Sequence, residues 1–165
     1  MDNREIAERF TQLALLMEIR GGDDDRYRIR SYRNAAETLG SWPHSLAKVA
    51  REGGAKSLQE IPGVGKAISG KIIEMIERNS FEAWEKLTAE TPVTVLDLLK
   101  VDGIGTKTAA TLYQQFKISS LDDLAKFVEG GGLEMVDGVA GKIAERITQS
   151  LKRLQKTGDR IQKSE

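Results

Sequence analysis

The chain has 165 residues, 39% of them hydrophobic and 30% charged, with equal acidic and basic totals and no cysteine. That length suits one domain or two small ones, and the lack of cysteine excludes a disulfide framework and a thiolate metal site. A net charge of zero argues against a general DNA coater.

No apolar run approaches the roughly 20 residues of a membrane span, and Met1-Asp2-Asn3-Arg4-Glu5 lacks the layout of a signal peptide. The expected location is therefore cytoplasmic, with no membrane partner. Ile6, Phe10, Leu13, Leu16 and Met17 recur at helical spacing and predict a first helix over residues 3–19, stopped by Gly21-Gly22. A second helix is expected over 27–39, ending before Trp42-Pro43. A third is expected over 45–51, stopped by Gly53-Gly54. After a glycine turn and its helix comes a segment over 81–89. Thr91-Pro92 then marks a domain junction, because proline blocks continuation of the preceding helix. Beyond it the pattern predicts a second glycine turn, a helix capped by Ser119-Ser120 and running through Phe127, and a break at Gly130-Gly131-Gly132. A last helix starts near Lys142 and frays after Leu154. No strand alternation occurs. The expected fold class is all-α, with domains at 1–90 and 91–155 and a tail over 156–165.

Two of the turns are versions of one another: Ile61-Pro62-Gly63-Val64-Gly65-Lys66-Ala67 and, 40 positions on, Val101-Asp102-Gly103-Ile104-Gly105-Thr106-Lys107. Glycine tolerates positive φ and leaves neighbouring backbone N–H groups uncovered. At a helix N-terminus those donors and the helix dipole favour an anion. Leu58 and Ile61 precede the first turn, and Ile68, Ile72, Ile73 and Ile76 follow it. Leu98, Leu99 and Val101 precede the second, with Ala109, Ala110, Leu112 and Tyr113 after it. This is the helix-hairpin-helix pattern, with a small residue, alanine, expected where the helices cross. Nucleic-acid backbone is the expected ligand, held at Gly63, Gly65, Lys66 and Ala67 and at Gly103, Gly105, Thr106, Lys107 and Thr108. Arg28, Arg30 and Arg33 would add a basic strip beside the turns. A third copy, Val136 to Lys142, has Ala140 where the others have their second glycine, and reads as a packing partner for the second. Asp23-Asp24-Asp25 and Asp122-Asp123 read as solubilising or capping residues, and His44 as a polar residue near a helix start.

The run Arg30-Ser31-Tyr32-Arg33-Asn34-Ala35-Ala36, then Trp42-Pro43-His44, then Ile61 to Lys66 with Lys71-Ile72, resembles the amino-terminal region of family X DNA polymerases, the DNA polymerase beta-like enzymes with the bacterial PolX group. The second turn, Lys117 to Leu124 and the third turn continue the match over nearly the whole chain. The resemblance implies a lyase-type helical domain followed by a helix-hairpin-helix domain. It stops before the family's palm, so the chain carries none of that domain's carboxylates, and no polymerase activity is expected from it alone. In the family a lysine attacks the aldehyde of a 5′-deoxyribose phosphate during base-excision repair. The resemblance puts that nucleophile at Lys71 and a pocket tyrosine at Tyr32, with Arg28 or Lys66 for the 5′-phosphate. Tyr27, Gln59 and Ala67 stand where the family has further basic residues, so Lys71 reads either as nucleophile or as phosphate contact. The resemblance also implies Na⁺ or K⁺ on backbone carbonyls of Gln59, Ile61 and Val64, and of Leu99, Val101 and Ile104; no other cofactor is expected. Three functions follow. One is a sequence-independent binder of gapped, nicked or duplex DNA in repair. The second is a deoxyribose-phosphate lyase. The third is a helical adaptor for a repair or recombination partner; the expected partners besides DNA are a palm-containing polymerase segment or another repair protein.

Overall fold

The computed structural model describes residues 1–22 and 25–163, and all regular structure among them is helical. Residues 1–18 with 22–91 form one compact unit, and residues 19–21 with the chain from Pro92 onward form another. Asp23 and Asp24, expected as solubilising or capping residues, lie outside the described residues.

The first unit contains α1 (Asn3–Arg20), α2 (Arg26–Gly40), α3 (Leu46–Leu58), α4 (Lys66–Arg78) and α5 (Glu82–Glu90). Ile6, Phe10, Leu13, Leu39, Leu46, Leu58, Ile72, Met75 and Phe81 are buried and form its core. Aromatic contacts tie α1, α2 and the N-cap residue of α5 together. Phe10 stacks on Tyr32 at 5.9 Å, and Phe10 and Phe81 lie 6.1 Å apart. Asn3 is a cross-link the hydrophobic pattern does not show. Its side chain donates to the His44 carbonyl (2.8 Å) and accepts from the Leu46 amide (2.9 Å), fixing the entry to α3. The stop expected at Gly53-Gly54 is present as a break in the helical run. Gly54 leaves the helical region (φ 66°, ψ −156°), but helix resumes at once and runs to Leu58. Glycine takes up this conformation at little steric cost, so the pair ends one helical run and a second short one follows directly.

The second unit begins with a 3₁₀ helix at Val93–Lys100, followed by α6 (Thr106–Phe116), α7 (Leu121–Glu129), a short 3₁₀ turn at Gly132–Met135 and α8 (Lys142–Lys163). Val95, Leu98, Ala109, Leu112, Leu124 and Ile147 are fully buried there. Ser120 caps α7 by accepting from the Asp123 amide (3.1 Å), and the Asp123 carboxylate accepts from the amide of Ser119, the residue before the cap (3.1 Å). The Ser119 backbone N–H holds the Asp123 carboxyl below the ordinary carboxylate range. α8 continues past Leu154 to Lys163, beyond the expected point of fraying; Lys, Gln and Arg are good helix formers.

Candidate nucleic-acid interface

The two glycine turns have the same backbone geometry. In the first, the Val64 amide donates to the Ile61 carbonyl (3.0 Å). In the second, Ile104 donates to Val101 (3.1 Å). The first glycine of each pair takes the left-handed conformation, φ +83° at Gly63 and +97° at Gly103. The second glycine is extended and forms the N-cap, with φ −95° at Gly65 and −96° at Gly105, and neither has a side chain to cap its helix. The buried pairs Ile61 with Val64 and Val101 with Ile104 pin each turn to its core. Among the described residues, the amides of Gly65, Lys66 and Ala67 find no acceptor, and neither do those of Gly105, Thr106 and Lys107. A Cβ built on Gly65 or Gly105 would meet nothing within 4 Å, and Gly65, Lys66, Ala67, Gly105 and Lys107 are exposed. This is the arrangement that favours an anion.

The helix crossing differs from expectation in the first turn. Four residues past the second glycine stands buried Ala109 in one motif and buried Ser69 in the other, while Ala67 is exposed. Ser69 is tolerated because its hydroxyl donates to the Lys66 carbonyl (2.9 Å) and accepts from the Gln59 side chain (3.3 Å).

The third copy forms a related turn in a shifted register. Gly138 has φ +79° and Val139 donates to Val136 at 3.2 Å, but Gly141 adds a second left-handed residue (φ +55°) before α8. The Ile143 amide is then used by the Ala140 carbonyl at 3.2 Å, whereas the amides of Ile68 and Thr108 at the equivalent step find no acceptor among the described residues. α8 packs against the second turn, with Ile147 Cγ1 only 3.0 Å from the position of a Cβ on Gly103.

The carbonyls named for a monovalent cation suit that role by their chemistry. Among the described residues, those of Gln59, Val64, Leu99 and Ile104 accept no hydrogen bond, and those of Ile61 and Val101 accept one each. No cluster of three or more His, Asp or Glu side chains able to hold a metal ion occurs among the described residues. No helix there is long and apolar enough to cross a membrane.

The arginines of α2 are not a simple strip. Arg33 pairs with Glu18, and Arg28 lies 3.3 Å from Asp25, which leaves Arg30 as the expected contact without an ion-pair partner among the described residues. Glu18 and Asp25 precede the basic run in sequence, and the spacing alone does not show that they fold back on it. Lys66 and Lys107 are exposed on the first turns of α4 and α6. Lys71 and Tyr32 do come together: the Lys71 ammonium lies 5.8 Å from the centroid of the buried Tyr32 ring. Of the family-pocket departures, Tyr27 is 81% exposed, and Gln59 is engaged with Ser69.

Two glycine turns of one form and a third related one, each leading into a helix, define a tandem helix-hairpin-helix DNA-binding module. Residues 1–81 match the family model described as a helix-hairpin-helix domain, and residues 95–153 match the SAM-like helix-hairpin-helix tandem. The DNA polymerase/3′-5′ exonuclease PolX of Bacillus subtilis (strain 168) is 26% identical over 151 residues, covering 92% of this chain and 25% of that protein. DNA polymerase lambda of Rattus norvegicus is 30% identical over 125 residues (74% of this chain, 19% of that protein), and that of Arabidopsis thaliana 26% over 164 (95% and 29%). The chain is homologous to the amino-terminal region of family X DNA polymerases over most of its length, and spans less than a third of these relatives.

Proposed function

We propose that this chain grips DNA through phosphates, without reading sequence, and acts on gapped or nicked DNA during repair. The observation that carries this reading is the pair of turns at Gly63 and Gly103, each leaving four consecutive amides without acceptors among the described residues at a helix start. Backbone donors match phosphate oxygens and carry no information about bases. Lys66 and Lys107 supply exposed charge on the first turns of α4 and α6. Na⁺ or K⁺ on the turn carbonyls at Gln59, Ile61 and Val64, or at Leu99, Val101 and Ile104, would add positive charge beside the phosphate. Titration of mixed-sequence duplex, nicked and gapped DNA at several salt concentrations tests the reading. Affinity should be similar across sequences, fall with salt and be highest for the interrupted duplexes.

The approach of Lys71 to Tyr32 favours a second reading, a 5′-deoxyribose-phosphate lyase. The unprotonated Lys71 amine would add to the C1′ aldehyde and lose water to give an imine. Loss of a C2′ proton would then break the C3′–O bond and release the DNA with its 5′-phosphate. Tyr32, stacked on Phe10, would form a wall of that pocket. Borohydride should trap the protein on DNA bearing the sugar phosphate, and Lys71→Ala should abolish the adduct. Unchanged trapping in that variant would move the chemistry to another amine, and no trapping at all would leave the chain a binder.

A further inference from the structure

The same position in each turn is filled differently: Pro62 in the first, Asp102 in the second, Asp137 in the third. Proline has no N–H and fixes φ, so the first turn has no donor to satisfy there and one fewer torsion to hold. Asp102 does have an N–H, and it donates to the Ser150 hydroxyl of α8 at 2.9 Å; Ser150 is only 4% exposed. One helical turn further along, the Arg153 guanidinium donates to the Asp102 carboxylate at 3.1 Å. One turn back, Ile147 lies against Gly103. Positions 147, 150 and 153 share one face of α8. That face therefore touches two consecutive residues of the second turn, whereas a Cβ on Gly63 in the first would meet nothing within 4 Å. The Asp137 amide of the third turn finds no acceptor among the described residues.

We propose that Ser150 and Arg153 are positioning residues for the second phosphate-binding turn, an inference that rests on the DNA-backbone reading above. Ser150 fixes the Val101–Asp102 peptide plane, whose carbonyl accepts the Ile104 amide that closes the turn. Without that acceptor, the Asp102 amide gains by rotating toward water, which re-aims the amides of Gly105, Thr106 and Lys107. Arg153 offsets a carboxylate on the very turn that an anion must approach. The first turn does without both because proline removes the donor and brings no charge.

The test is a double-mutant cycle on the full chain, titrated with labelled mixed-sequence duplex at low salt, with helicity and melting checked by circular dichroism. Ser150→Ala should weaken binding about three- to tenfold, the scale of one hydrogen bond, and Ser150→Thr should restore it. The loss should vanish in a Gly105→Val background and persist in Gly65→Val, since only coupled sites depart from additivity. Asp102→Pro, which copies the first turn, should make Ser150→Ala silent. Val101 already has the extended backbone that a residue before proline needs (φ −82°, ψ 125°). Should Ser150→Ala not fold, exposed Arg153→Ala carries the same cycle, with an expected loss of about two- to fivefold that shrinks with salt. Equal losses in both glycine backgrounds, or a folded Ser150→Ala with unchanged affinity while Gly105→Val binds weakly, would overturn the inference and leave the DNA reading intact. Full affinity in Gly105→Val would instead remove the second turn from DNA binding, and the inference with it.

Discussion

The first and second turns share a hydrogen bond, a left-handed glycine and an extended N-cap glycine, yet they are supported in different ways. The first is held locally: Pro62 stiffens it, and a Cβ on Gly63 would meet nothing within 4 Å among the described residues. The second is braced by a helix that begins 39 residues after Gly103, through Ile147, Ser150 and Arg153. The difference teaches that a glycine signature specifies a backbone shape, while the means of holding that shape can lie far away in sequence. A local brace is insensitive to the rest of the domain. A remote brace makes the turn depend on the packing of α8.

The largest expected effect separates the two glycines of each pair. Gly65→Val and Gly105→Val place a side chain in the open space that a phosphate would occupy, at an extended backbone that valine accepts. Each should keep the fold and lose about tenfold or more in DNA affinity, the scale of charge-assisted hydrogen bonds; circular dichroism and titration check both halves. Gly63→Val and Gly103→Val should act on stability instead. Both force valine into positive φ, costing about 1–3 kcal/mol, and at Gly103 the side chain also meets Ile147. Thermal melting should therefore show Gly103→Val as the more damaging of the two. Equal losses would mean that α8 yields freely and the brace is soft.

Much of this was legible in the sequence. The paired Gly-x-Gly frames with apolar neighbours locate both turns, and the Ser120 cap and the end of α5 before Pro92 follow from local chemistry. What stayed hidden depends on contacts between distant residues. Nothing in the spacing links Ser150 to Asp102, Glu18 to Arg33, or Asn3 to the residues before α3. The basic run around Arg28, Arg30 and Arg33 overstates the charge available for DNA, because two of its members are paired within the protein. Ser69 at the helix crossing was also obscured. A hydroxyl there is tolerated only because two partners satisfy it.

Smaller effects sharpen the contrast. Pro62→Ala should cost the first turn about 0.4–1 kcal/mol, chiefly by giving freedom back to the unfolded chain. It should leave affinity less changed than Ser150→Ala does. Smaller still is a pH effect confined to the second unit. The Asp123 carboxyl is held below its ordinary range by the Ser119 N–H, so the charged cap stabilises α7 at neutral pH. That contribution is present above the ordinary aspartate range and is lost as pH falls below about 4, through the depressed value. Asp123→Asn should flatten this part of the acid transition, which acid titration followed by circular dichroism would register.

The most direct test of the central claim is the salt dependence of DNA affinity for the unaltered chain and for the Gly65→Val, Gly105→Val double variant, on two duplexes of unrelated sequence. Contacts to about 3–5 phosphates predict a log–log slope of roughly −3 to −5, the same for both duplexes, and a much shallower slope with weak binding in the double variant. A slope near zero, a strong preference for one duplex, or full affinity in the double variant would contradict backbone binding by the two turns.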